Sequence, residues 1–178
     1  MVNPPPSTDR WAKPTIVGSL VTLRPIADQD AEAMFEAVND PESNDLTATE
    51  ETFTYEQICD WCATRGSQDG RLDLAIVENV SGEYAGEVVL NSYDPDTEST
   101  NFRIALRGPA WFGRGLGSEA TALLLQHAFA GIGLRQVTLA VLARNPRARR
   151  TYEKAGFRTR RAYVEDGQDW LEMIVDTP

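Results

Sequence analysis

The stretch Asn101-Phe102-Arg103-Ile104-Ala105-Leu106-Arg107-Gly108-Pro109-Ala110-Trp111-Phe112-Gly113-Arg114-Gly115-Leu116-Gly117-Ser118-Glu119-Ala120 reads as a strand that runs through a glycine-rich turn into an amphipathic helix. Gly113, Gly115 and Gly117 carry no Cβ, so the backbone there can take positive φ and bring several N–H groups toward one anion. The helix behind the turn adds the positive end of its dipole. Such a turn holds a phosphate or simply packs tightly, and its context has to decide between the two.

That context lies downstream. After one further helix and strand comes Asn145-Pro146-Arg147-Ala148-Arg149-Arg150-Thr151-Tyr152-Glu153-Lys154-Ala155-Gly156-Phe157, which reads as a strand exit, a helix start and a helix stop. Working outward, Leu20–Ile26 alternates as a strand, Asp28–Val38 reads as a helix capped by Asp28, and Thr54–Arg65 as another. Leu72–Val77 and Tyr84–Leu90 form a hairpin around Ser81-Gly82, Asn101–Leu106 is a strand, and Gly115–Ala130 a helix. Val137–Leu142 is a strand, Arg147–Lys154 a helix stopped by Gly156, and Phe157–Val164 with Trp170–Val175 a last pair around Asp166-Gly167. The sum is an α+β domain on a mixed, mostly antiparallel sheet.

In this order, the turn Phe112-Gly113-Arg114-Gly115-Leu116-Gly117 and the run Asn145 to Phe157 resemble the GNAT superfamily of N-acetyltransferases. Its (Gln/Arg)-x-x-Gly-x-(Gly/Ala) turn wraps the pyrophosphate of coenzyme A. The aromatic Phe112 at the first position is similar to the branch of ribosomal-protein N-terminal (RimJ/RimL-like) and polyamine acetyltransferases. The resemblance extends more loosely from Leu20 to Val175. It implies acetyl-CoA, or another acyl-CoA such as succinyl-CoA, as cosubstrate. It also implies a GNAT acyl-CoA N-acyltransferase fold in which the strands matching Asn101–Leu106 and Val137–Leu142 splay apart around the pantetheine.

The resemblance further assigns residues. Phe112, Gly113, Arg114, Gly115, Leu116, Gly117 and Ser118 cradle the phosphates. Phe102, Ile104 and Leu106 line the cofactor through their main chain. Asn145 bonds the pantetheine or a bridging water, and Tyr152 protonates the departing thiolate unless it merely packs the last helix onto the sheet. Arg103 either reaches toward the acceptor or lies on the surface. Many members carry a glutamate where this chain has Ala140, so the base is open: Glu87, Glu98 or a water chain. An alkyl ammonium, with pKa about 10.4, must lose a proton before it attacks. Glu153 and Lys154 have no catalytic part.

Composition bounds the rest. The 178 residues, 42% hydrophobic, can bury one core and are too few for two independent domains. Residues 1–15, with Pro4, Pro5, Pro6 and Pro14, read as a flexible arm ahead of a domain spanning 16–178. The arm has no apolar block and so does not read as a signal peptide, and no run approaches about 18 apolar residues, which leads us to expect a cytoplasmic protein. Cys59 and Cys62 stand at C-x-x-C spacing inside a helix. With His127 the only histidine in the chain, no metal site is expected and both are ordinary thiols.

Net charge is −10, yet residues 1–100 hold 5 basic and 20 acidic residues while 101–178 hold 12 and 7. The second half therefore suits phosphates, with Arg114, Arg144, Arg147, Arg149 and Arg150 as partners. The first half either steers a cationic amine or is a solvated surface. Nucleic acid is disfavoured by the sign. The acceptor is a polyamine, an aminoglycoside or a protein N-terminus, and the resemblance allows a homodimer. The alternative from another class is a sensor that binds acyl-CoA without transferring.

Overall fold

The computed structural model describes residues 10–178. Eight strands form one sheet: β1 (Ile16–Val17), β2 (Val21–Pro25), β3 (Leu72–Glu78), β4 (Tyr84–Asp94), β5 (Ser99–Leu106), β6 (Gln136–Leu142), β7 (Arg158–Glu165) and β8 (Gln168–Asp176). Their order is β1-β2-β3-β4-β5-β6-β8-β7. Every neighbouring pair is antiparallel except β5 with β6, because α4 (Leu116–Gln126) carries the chain across between them. The expected α+β domain on a mixed, mostly antiparallel sheet is what the chain forms.

The apolar periodicity of β5 and α4 accounts for the larger core. Phe102, Leu116, Ala120, Leu124, Val137, Leu139 and Met173 pack on one face of the sheet, under α4 and α5 (Pro146–Lys154). On the opposite face α1 (Ala31–Val38) and α3 (Tyr55–Arg65) bury Met34, Ile58 and Cys62 against Ala75 and Tyr84. Cys62 lies 3.9 Å from the Met34 sulfur, and burial pushes its thiol up to about 11, so it is an unreactive core residue.

Several boundaries differ from the expectation. The segment 28–38 is a short 3-10 turn, Asp28–Asp30, followed by α1, and Asp28 makes no capping bond. Asp30 does the local work, accepting the Ala27 N–H at 2.9 Å and pairing with Arg24 at 2.7 Å. A helix α2 (Pro41–Thr47), absent from the sequence reading, starts at Asp40, whose carboxylate accepts the Ser43 N–H at 2.8 Å. The expected helix 115–130 ends at Gln126 and continues as a π-turn, His127–Ile132.

Residues 1–9 of the expected flexible arm lie outside the described residues. Its last part is tied to the body. Arg10 donates to the Ile132 carbonyl at 3.0 Å, and Lys13 donates to the carbonyls of Gln68 and Arg71. No described helix is long and apolar enough to cross a membrane.

Candidate active site

The parallel seam between β5 and β6 is short. It pairs Ser99 with Gln136, Thr100 with Val137 and Asn101 with Thr138, and there it stops. Both strands run on, β5 to Leu106 and β6 to Leu142, each held on its outer edge by β4 or β8. The inner edges beyond Asn101 and Thr138 therefore face each other across a fork with backbone N–H and C=O groups that no strand uses. Such groups demand partners, and an amide-bearing chain laid in the fork supplies them.

The glycine-rich turn stands at the mouth of this fork. Gly113 and Gly115 take φ of 70° and 80°, the left-handed region that a side chain disfavours. Gly115 caps α4, and the first intrahelical bond runs from the Glu119 N–H to the Gly115 carbonyl at 3.0 Å. The N–H groups of Leu116, Gly117 and Ser118 are thus left without helical partners, which makes an anion cradle. Ile104 and Leu106 come within 3.7 Å of where a Cβ on Gly117 would lie, so the fork and the turn form one surface. Among the described residues Arg147 meets no carboxylate; its guanidinium lies 3.8 Å from the centre of the Phe112 ring, at the edge of the cradle.

Two neighbouring hairpins brace the turn. Glu119 accepts the N–H groups of Ser19, Leu20 and Val21 at 3.0, 2.6 and 2.8 Å, fixing the β1–β2 turn against α4. Arg114 pairs with the buried Glu78 at the end of β3 and so braces the turn instead of offering its charge outward. Arg144 is likewise paired with Asp45 at 2.9 Å and Arg149 with Glu153 at 3.1 Å. Of the five arginines expected at phosphates, Arg147 and Arg150 remain.

Tyr152 stands at the crotch of the fork. Its ring meets Phe102, the first residue past the last seam pair, edge-on at 6.1 Å, and Phe157 at 5.9 Å. The residue is 9% exposed, and burial pushes its phenol up to about 12. Its hydroxyl bonds no other described residue and is protonated at neutral pH. Asn145, buried on the same helix, is occupied otherwise: its Oδ1 accepts the Ala148 N–H at 3.1 Å as the cap of α5, and its Nδ2 donates to the Leu46 carbonyl at 3.2 Å. It positions the helix that carries Tyr152 and ties α2 to the fork.

The two base candidates fare differently from the sequence reading. Glu98 lies at the closed end of the seam, just before Ser99, with its oxygens facing Arg135 at 2.6 Å and Arg10 at 3.8 Å. Chain geometry keeps it away from the fork. Glu87 sits beside the fork on the α3 face of β4, opposite Ala105, but it is buried under Arg103, whose Nη2 is 3.4 Å away. Burial raises its pKa against the opposing pull of Arg103.

A carboxylate that sequence reasoning missed comes close instead. Glu172 on β8 is the register partner of Ala140, so its side chain shares the face where Ala140 looks out of the fork. It accepts from Arg161 and, at 3.4 Å, from Arg160. No local signal marks it, since its neighbour lies 32 residues earlier in the chain.

The comparisons agree with this geometry. No curated protein matches the chain. Among solved structures, a GNAT-family acetyltransferase from Bacillus anthracis superposes with a TM-score of 0.81 at 18% identity, covering 92% of this chain and 99% of the other. Spermidine N-acetyltransferase from Vibrio cholerae, in complex with CoA and spermine, gives 0.80 at 20% identity over 90% and 97%. A GCN5-related N-acetyltransferase from Brucella melitensis gives 0.74 at 24% identity over 93% and 79%. At these identities they speak for the fold, and the family model for the acetyltransferase (GNAT) domain speaks for the lineage, matching residues 21–158. With the model running from β2 through the fork, the turn and Tyr152 into β7, this chain belongs to the GNAT family of acetyltransferases.

Proposed function

We propose that this chain moves an acetyl group from acetyl-CoA to a primary amine by direct attack in a ternary complex. The observation that carries the reading is the fork beyond Asn101 and Thr138, with an anion cradle at its mouth and a protonated, buried phenol at its crotch. The cradle of Gly113 to Ser118 and Arg147 binds the diphosphate. The free edges of β5, at Ile104 and Leu106, and of β6 pair with the pantetheine amides. When bound, the thioester supplies the activated acyl carbon.

The residues of the chain then manage protons and position. The amine enters from the α3 face, loses its proton through a water chain to solvent, since Glu172 is already held by Arg160 and Arg161, and attacks the acyl carbon. As the C–N bond forms the C–S bond breaks, and its electron pair stays on sulfur. Tyr152 Oη gives that sulfur a proton and regains one from solvent. A coenzyme thiol of pKa about 8.5, by analogy with cysteine, leaves more readily when protonated. The acceptor is a small amine or a protein N-terminus. Calorimetric titration with acetyl-CoA, followed by thiol release with an amine panel in the same sample, tests this. Binding with amine-dependent release is the expected result. Binding without release from any amine would leave a sensor of acyl-CoA.

A further inference from the structure

The open end of the fork is spanned by one short helix. On the β5 side α2 is tied down through α1. Glu36 of α1 accepts from Arg107, the residue after β5, at 2.7 Å. Asn44 of α2 donates its Nδ2 to the carbonyl of Val38, the last residue of α1, at 3.0 Å. The carboxylate of Asp40, which caps α2, lies 3.6 Å from where a Cβ on Gly108 would stand. On the β6 side the other end of α2 meets the residues just past that strand. Arg144 Nη1 donates to Asp45 Oδ2 at 2.9 Å and its Nη2 to the Asp45 carbonyl at 2.7 Å. Asn145 Nδ2 donates to the Leu46 carbonyl at 3.2 Å. From Asp40 to Leu46 the helix thus runs from the end of β5 to the end of β6.

Its length matches what the fork has to hold. The 7 residues of α2 rise roughly 10 Å along the helix axis. Two strands that flank one extended chain, at the usual spacing of about 4.8 Å, also stand about 10 Å apart. Beyond Asn101 and Thr138 the strands β5 and β6 make no pair with each other, so the seam does not set their separation there. None of the α2 residues is buried, and a helix this short does not hold itself in water. Its place is given by the polar ties at its ends. The Arg144 and Asp45 side chains are 43% and 70% exposed, and an ion pair so open to water adds little to folding. What it fixes is a distance.

Resting on the reading that the fork receives the pantetheine, we infer that α2 is a strut that holds the open end of the fork at the width of one extended chain. Asp45 and Arg144 are the positioning residues at its β6 end. With the strut in place the free edges of β5 and β6 stand at the spacing the ligand needs before it arrives, and binding carries a smaller ordering cost. Asp45 and Arg144 act through the spacing of the strands, and the guanidinium that composition would give to a phosphate is spent on α2 instead.

The test is calorimetric titration of the full chain with acetyl-CoA and, separately, with the free nucleotide of coenzyme A, which carries the phosphates without the pantetheine. Asp45→Asn and Arg144→Gln should each raise the Kd for acetyl-CoA about 10-fold, because the fork is no longer set to width in advance. The Kd for the nucleotide and the melting temperature should stay as they are. In steady-state kinetics the KM for acetyl-CoA should rise while kcat at saturation holds, since a bound chain sets the width itself. The double variant Asp45→Arg with Arg144→Asp rebuilds the pair in reverse and should bring the Kd to within about 3-fold of the original. Unchanged acetyl-CoA affinity in Asp45→Asn would overturn the strut, and so would tighter binding, which would mark the freed Arg144 as a phosphate ligand. A loss shared equally by the nucleotide, or one that the reversed pair leaves unrepaired at an unchanged melting temperature, would overturn it as well. No binding of acetyl-CoA to the unaltered chain would remove the reading of the fork and the strut with it. Binding without release from any amine would remove transfer alone, and the Kd comparison would still decide the strut.

Discussion

Tyr152 buries its ring at the crotch of the fork while its hydroxyl bonds no other described residue, which leaves the O–H free for a molecule laid in the fork. Tyr152→Phe should lower kcat by about 100-fold while leaving acetyl-CoA affinity and the melting temperature unchanged, because no protein partner is orphaned by the loss. Equal steady-state rates for the two proteins would remove the proposed acid. With the phenol pushed up to about 12, the rate should rise with pH as the amine deprotonates and show no alkaline fall up to pH 10; a pH–rate profile checks this. Gly115→Val should abolish acetyl-CoA binding in calorimetry, since φ is +80° there and a Cβ would stand 3.2 Å from the Leu20 side chain. Tyr152 and the glycines were readable in sequence because their spacing is local. Glu172 was not, because strand register joins positions 140 and 172 only after folding.

At the scale of elements, α5 is placed by its cap as well as by the apolar face that carries Tyr152. Asn145 spends its amide on the first turn of α5 and on the Leu46 carbonyl of α2, so one side chain fixes two helices. Asn145→Ala should therefore cost about 1–2 kcal/mol in denaturant unfolding and lower kcat as well, because Tyr152 rides on α5. A stability loss with unchanged kcat would show that the helix finds its place without the cap. The helix α2 that Asn145 holds was legible in principle, as Asp40 followed by Pro41 is a helix-start signature. Its sequence, PESNDLT, has Leu46 as its one large apolar side chain, too few to set a helical period, and periodicity alone passes it over. Likewise the arginines of the second half looked like phosphate ligands by composition. Three of them answer to carboxylates of the first half or of their own helix, contacts that only the tertiary structure reveals.

For the whole molecule, the sheet divides one strand later than the charge does, since β5 opens the basic half yet pairs with β4. Strands β1–β5 and β6–β8 meet in the three-pair seam. The fork itself was foreseen through the family resemblance; hydrophobic patterning contains nothing that would stop two strands from pairing. Its free edges make a prediction. The fork-facing amides among residues 102–106, on the edge of β5 that β4 does not use, and the amides of 113–118 should exchange quickly in the free protein and become protected when acetyl-CoA is added, as read by hydrogen–deuterium exchange. Protection at 113–118 without protection at 102–106 would mean that the diphosphate binds while the pantetheine lies elsewhere.

Seen mechanically, the seam is the spine of an open book whose two leaves are each well bound along their outer strands. Pulled apart from opposite edges, such a sheet should tear first along its spine, as a zipper of three teeth. A molecule laid between the leaves then acts as a clasp as much as a substrate. At a hundredfold excess over its Kd the clasp adds about 2.7 kcal/mol to the resistance of the native state. The enzyme should be sturdiest when loaded, and its weakest moment under strain should fall between product release and the next binding event.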